Sequence, residues 1–295
     1  MYRAHFGLRE PPFGITPDTS FAFSAQAHQQ ALNTLLVALG SGEGFIKITG
    51  EVGTGKTLLC RRLLATLGDE YVTAYLPNPL LEPRSLMLAL GEEFEVAMPR
   101  DADEHQLMRT LNHALLDQAR ANKRVVVLID EAQAMPLPTL EALRLLSNLE
   151  TEKRKLLQVV LFGQPELDAR LDEPSVRQIK QRITFHYRLG GLSRSELRHY
   201  LAHRLRVAGY VGPDLFSGPA RWSLHQASRG VPRLVNIIAH KCLMLVFGQG
   251  GHRVHWRHVK AAVRDTPSAR RGGFPWVVTT VVAVGVTGVF VLIAA

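Results

Sequence analysis

Gly50-Glu51-Val52-Gly53-Thr54-Gly55-Lys56-Thr57 follows a short β-branched run and opens a leucine-rich stretch. Its glycines, lysine and threonine fit the phosphate-loop pattern at every position, with a strand expected before it and a helix after it. A polyphosphate needs many donors at close range. Glycines let main-chain N–H groups and a helix N-terminus approach such an anion. Lys56 is then placed to bridge the β- and γ-phosphates, and the Thr57 hydroxyl to meet Mg²⁺, an ion that selects oxygen ligands. ATP with Mg²⁺ is the ligand pair this implies. The alternative, a Gly-rich turn with an ordinary exposed lysine, leaves the strand-loop-helix context unexplained.

Working outward, short β-branched runs alternate with helical leucine spacing, the pattern of a parallel sheet covered on both faces. Strands are expected at 45–49, 71–75, 125–129, 157–162 and 183–188, so the fold class is α/β in three layers. After Leu189-Gly190-Gly191 the β-rich runs stop. Ser193-Arg194-Ser195-Glu196 reads as a capping box before a helix over 197–207, and further helices are expected over 216–228, 232–247 and 254–264. The chain therefore divides into an N-terminal arm and first helix (1–44), an α/β nucleotide-binding domain (45–192), a helical lid (193–266), a basic linker (267–273) and an apolar segment (274–295).

A second acidic motif completes the nucleotide reading. Val125-Val126-Val127-Leu128-Ile129 ends in Asp130 and Glu131, at the strand tip where α/β sheets meet their ligands. Buried carboxylates need a cation or donors, so Asp130 reads as a Mg²⁺ partner and Glu131 as the base or orienter for an attacking water. An acidic pair after a strand also serves as a helix cap. Gln164, after another inner strand, either senses the γ-phosphate and positions water or is a turn residue before Pro165. Arg177 and Arg182 precede the last strand, where either is placed to act as an arginine finger on a neighbouring subunit or to stay on the surface beside Asp172 and Glu173. Gly230-Val231-Pro232-Arg233 opens a helix. From there Arg233 either reaches the γ-phosphate in cis or is solvated.

Composition agrees with a folded body. The chain of 295 residues is 46% hydrophobic and 21% charged, which argues against disorder and polytopic membrane folds. Its net charge of +9 permits phosphate, nucleic-acid or anionic-membrane partners. Two cysteines, Cys60 and Cys242, make a disulfide scaffold a poor reading and point to reduced thiols. Residues 1–15 lack a secretory signal, so the N-terminus is expected to stay inside. No charge occurs over 272–295, and Lys260, Arg264, Arg270 and Arg271 precede that apolar run. It reads as one membrane helix with the body on the cytoplasmic side, or else as a buried terminal element. His199 with His203, and His252, His255 and His258, lack the partners of a metal site and read as polar-face or terminal histidines. Arg61, Arg62, Arg198, Arg204 and Arg206 read as solvated.

The phosphate loop, acidic strand end, polar third strand tip, paired arginines and Gly-x-Pro-Arg helix together resemble an AAA+ ATPase over about 45–264. More narrowly, His5-Phe6-Gly7-Leu8-Arg9-Glu10-Pro11-Pro12-Phe13-Gly14-Ile15-Thr16-Pro17-Asp18, then Gly42-Glu43-Gly44-Phe45-Ile46-Lys47-Ile48-Thr49-Gly50-Glu51, resemble the ExeA/GspA-like secretion ATPases, pilus-biogenesis members included. This resemblance implies a bacterial, inner-membrane-associated ATPase that works as a homo-oligomer with envelope-machine proteins of the pilus or secretion type. Larger members carry a periplasmic peptidoglycan-binding domain, and direct peptidoglycan binding is not expected here. The resemblance also implies that the arm over 13–23 lies beside adenine; packing of Phe6, Phe13, Phe21 and Phe23 on the α/β core would explain those aromatics equally well. A DNA-binding AAA+ regulator of the transposition type is the competing function.

Overall fold

The computed structural model describes residues 2–16, 19–21, 23, 25–99, 101–150 and 155–270. The expected anchor, 274–295, lies outside the described residues; among them, no helix is long and apolar enough to cross a membrane. In chain order, α1 (Tyr2–His5) and α2 (Gln26–Gly40) precede β1 (Phe45–Thr49), α3 (Lys56–Thr66), β2 (Tyr71–Leu76), α4 (Pro83–Glu93), α5 (Glu104–Arg120) and β3 (Arg124–Ile129). Then come α6 (Leu137–Leu146), β4 (Leu157–Gly163), α7 (Glu166–Leu171), α8 (Arg177–Arg182) and β5 (Ile183–Arg188). The rest is helical: α9 (Arg194–Val207), α10 (Gly218–Ser228), α11 (Pro232–Gly248), α12 (Trp256–Arg264) and α13 (Pro267–Arg270).

The strands pair in parallel in the order β2-β3-β4-β1-β5. The chain leaves β1 for the far edge at β2 and returns through β3 and β4, so the loop after β1 opens where the strand order reverses, the usual ligand crevice of such sheets. The inner strands are mostly apolar because both faces are covered, with Lys47, Thr49 and Gln158 the polar residues buried among them. Val125, Val127 and Ile129 of β3 join the core beneath α4, α5 and α6, whereas Val126 and Leu128 join the opposite core beneath α2 and α3. Each such side chain contributes about 1.5–3 kcal/mol on burial.

A third core belongs to the helical bundle, where Leu201, Leu224, Ile238 and Val259 meet Phe6, Phe13 and Phe21 of the N-terminal arm. The arm thus packs on the bundle and not on the α/β core. Arg204 explains why, and corrects its expected solvated state: it is buried, donates to the Pro12 carbonyl at 2.5 Å and lies 4.6 Å from the Phe21 ring centre. A Pro-rich arm is short of N–H donors of its own, and Arg204 supplies donors to the Pro12 and Gly14 carbonyls.

Ser193 and Glu196 form the expected capping box, and α9 begins at Arg194, directly after the Ser193 cap and three residues before the expected start at 197. Two other helices start two residues later than the sequence suggests. Phe216 and Val254, the expected first residues, pair in a parallel bridge, so α10 begins at Gly218 behind the Ser217 cap and α12 at Trp256. At the junction of bundle and sheet, Leu192 N–H donates to Gly230 O at 2.8 Å. Gly230 has φ +74°, and a Cβ there would lie 2.1 Å from Leu192 O, so the close approach requires glycine. Each half holds one free, buried cysteine, Cys60 against the sheet and Cys242 in the bundle.

Candidate nucleotide site

A cleft of about 350 Å³ lies between the sheet and the bundle. Residues 52–57 of the loop after β1 form its floor; Gly14, Ile15, Phe21 and Phe23 of the arm, and Tyr200, Pro232, Arg233 and Asn236 of the bundle, form its walls. The loop takes this shape because Gly53 sits at φ +82°, with Arg233 so near that a Cβ on Gly53 would meet its Cβ at 2.3 Å. Arg233 N–H also points to Gly53 O at 3.3 Å. The N-terminus of α11 therefore abuts the loop directly, adding its positive helix end to the cleft.

Lys56 is buried, and its ammonium donates to the loop's own carbonyls, Gly50 O at 2.9 Å and Glu51 O at 3.3 Å. Burial lowers its pKa, partly offset by Glu131 and Asp130. Thr57 Oγ1 donates to Asp130 Oδ2 at 2.5 Å, and Asp130 Oδ1 accepts the Glu131 N–H at 2.9 Å. A hydroxyl and a buried carboxylate beside a phosphate loop form the hard-oxygen donor pair that suits Mg²⁺. Among the described residues, no group of three or more His, Cys, Asp and Glu forms a further metal centre.

Glu131 has φ +50° and makes no side-chain cap to the turn that follows, so the plain capping alternative does not describe it. Its Oε2 accepts Gln164 Nε2 at 2.9 Å and Gln133 Nε2 at 2.5 Å. Gln133 Oε1 in turn accepts Gln164 N–H at 2.9 Å, and Arg170 donates to Gln133 O at 2.7 Å. Burial pushes the Glu131 pKa up, but the two amide bonds and the nearby Lys56 charge outweigh it and leave the carboxyl below its ordinary range.

The structure thus brings Gly50, Glu51, Val52, Gly53, Thr54, Gly55, Lys56, Thr57, Asp130, Glu131 and Gln164 to one end of the sheet, with Arg233 across the cleft. It does not bring Arg177 or Arg182 there. Arg177 is exposed on α8, and Arg182 donates to Asn148 Oδ1. Among the histidines, His258 is buried and caps α12, accepting His255 N–H at 3.0 Å and pairing with Gln249 Oε1, in place of the expected polar-face position.

Three site residues escaped sequence reasoning: Gln133, Arg170 and His28. His28, on α2, pairs with Thr54 O at 2.9 Å beneath the loop, and burial lowers its pKa. Gln133 left a faint signal, a polar residue two places after Glu131. Nothing local marks His28 or Arg170, because their contacts come from distant elements.

This sheet order and loop have the P-loop fold of AAA+ proteins, and residues 39–171 match the family model described as an AAA domain. The chain is similar to General secretion pathway protein A of Aeromonas hydrophila, 43% identical over 273 residues, covering 92% of this chain and 50% of that protein. It therefore spans about half the length of that relative. Among solved structures, Cdc6p from Pyrobaculum aerophilum superposes with TM-score 0.62 at 16% identity, covering 85% of this chain and 71% of that one. The Aeropyrum pernix ORC1 protein in complex with DNA gives 0.57 at 19% identity, covering 87% and 69%. The Thermotoga maritima RuvB Holliday junction branch migration motor gives 0.51 at 16%, covering 81% and 68%. At these identities the superpositions speak to the fold alone.

Proposed function

We propose that this protein binds ATP with Mg²⁺ and hydrolyses it, and that it does so at the cytoplasmic face of a bacterial inner membrane to assemble an envelope machine of the secretion or MSHA-pilus type. The observation that carries the enzymatic reading is the Glu131 carboxylate, clamped by Gln133 and Gln164 beside the Thr57–Asp130 pair and Lys56. Mg²⁺, when bound, neutralises charge on the phosphate oxygens. Thr57 and Asp130 hold that ion. Lys56 exchanges the Gly50 and Glu51 carbonyls for the β- and γ-phosphates, and Glu131 orients and deprotonates the attacking water. Gln164 shares its amide between Glu131 and the terminal phosphate. Arg233 reports the γ-phosphate in cis, so that its loss moves the helical bundle as a lid. Arg177 or Arg182, away from the cleft of its own chain, acts in trans in a homo-oligomer.

The membrane reading rests on the uncharged run over 272–295 and on the secretion relative; the MSHA-pilus assignment rests on the sequence resemblance alone. Steady-state phosphate release from detergent-solubilised protein tests the activity: Lys56→Ala should lose nucleotide affinity, and Glu131→Gln should retain ATP without turnover. Wild-type turnover in Glu131→Gln would overturn the assigned role. A basic helical bundle also favours a DNA-binding regulator. That reading predicts duplex binding that weakens steeply with salt, and it fails if no such binding occurs.

A further inference from the structure

Charge is divided unevenly along the chain. Residues 1–192 carry 21 Lys and Arg against 23 Asp and Glu, whereas 193–295 carry 14 against 3. The excess has a focus on α12. His258, Val259 and Ala262 turn into the bundle core, while Arg253, Trp256, Arg257, Lys260 and Arg264 are exposed outside it. Spacing of three and four residues sets Arg257, Lys260 and Arg264 in one stripe along the helix, and exposed Arg253 lies in the bend just before it. Trp256, 55% exposed, lies beside them with the Lys260 ammonium 5.8 Å from its ring centre. No acid occurs in α12, and the nearest one, Asp265, is already engaged by Lys241 at 2.7 Å.

We infer that this outward face of α12 docks on the headgroups of an anionic lipid bilayer. Basic side chains flanking an indole are the chemistry that such a surface selects, the cations for the negative leaflet and the indole for the headgroup layer. Position along the chain selects lipid over other acidic partners. Only seven residues, 265–271, separate Arg264 from the uncharged run beginning at Gly272, a reach of at most roughly 25 Å for extended chain. A tether that short holds this stripe near any bilayer the run enters and excludes most other orientations. The inference rests in that respect on the anchor reading.

The test uses the full chain in nanodiscs of phosphatidylcholine, or of phosphatidylcholine mixed with phosphatidylglycerol. Trp222 and Trp276 are replaced by phenylalanine so that Trp256 reports alone. Retention on the discs at high salt reads the anchor; quenching of Trp256 by brominated lipid reads docking. The expected result is quenching in anionic discs only, lost at high salt and lost in the combined Arg257→Glu, Lys260→Glu, Arg264→Glu variant, with disc retention and phosphate release unchanged. Equal quenching in both lipids, no quenching, or an effect of the triple variant confined to duplex DNA binding would overturn the docking face. Release from the discs at high salt would overturn the anchor instead, and salt-sensitive quenching on anionic vesicles would still uphold docking.

Discussion

Glu131 shows how a few contacts set a titration. Its carboxyl is pushed up by burial and pulled down more strongly by Gln164, Gln133 and Lys56. The carboxylate therefore stays charged as pH falls until the lowered pKa is passed, and with Glu131 in its proposed role hydrolysis should fail only below it. In Gln133→Leu, burial remains while one of the two amide bonds is lost, so the acid limb of the pH–rate profile should move to higher pH. A limb that stays in place would remove Gln133 from the clamp. Arg204 makes a different kind of prediction: Arg204→Met leaves the Pro12 carbonyl unpaired and should cost about 1.5–3 kcal/mol, with faster proteolysis of the arm. Loop residues 50–57 were legible because phosphate chemistry fixes residue type at fixed spacing. Arg204 was not, because its acceptor lies 192 positions away, and a cation on a helix looks solvated until that partner is known.

At the level of elements, continuous apolar runs gave away the buried parallel strands, and the observed ends of β2, β3 and β4 extend the expected ones by one residue each. Helix starts were harder to read. The bridge between Phe216 and Val254 claims two residues that helical periodicity alone would enlist, and such a pairing leaves no local trace. The Ser193 cap, by contrast, is written in four consecutive letters. Ser193→Ala should cost about 1 kcal/mol in denaturant unfolding, through loss of the bond from the Glu196 N–H. Leu128→Ala, in the sealed face under α2 and α3, should cost about 2–5 kcal/mol. A Leu128 loss no larger than that of Ser193 would mean that this face is loosely packed.

At the scale of the molecule, the backbone hydrogen bonds of Leu192 with Gly230 and of Arg233 with Gly53 tie the sheet to the bundle among the described residues. Gly230→Ala would drive a Cβ against Leu192 O. It should therefore weaken ATP affinity in calorimetry by displacing α11 from the loop, although no atom of residue 230 lines the cleft. Unchanged affinity would show that the loop is shaped independently of the bundle. The division of the two cysteines between these halves has a practical corollary. Burial raises both thiol pKa values, that of Cys242 to about 12, so neither is a ready nucleophile in the closed protein. Alkylation followed by mass spectrometry then acts as a pair of built-in clocks, one timing exposure of the loop helix and the other that of α11. Nucleotide should slow the first clock more than the second.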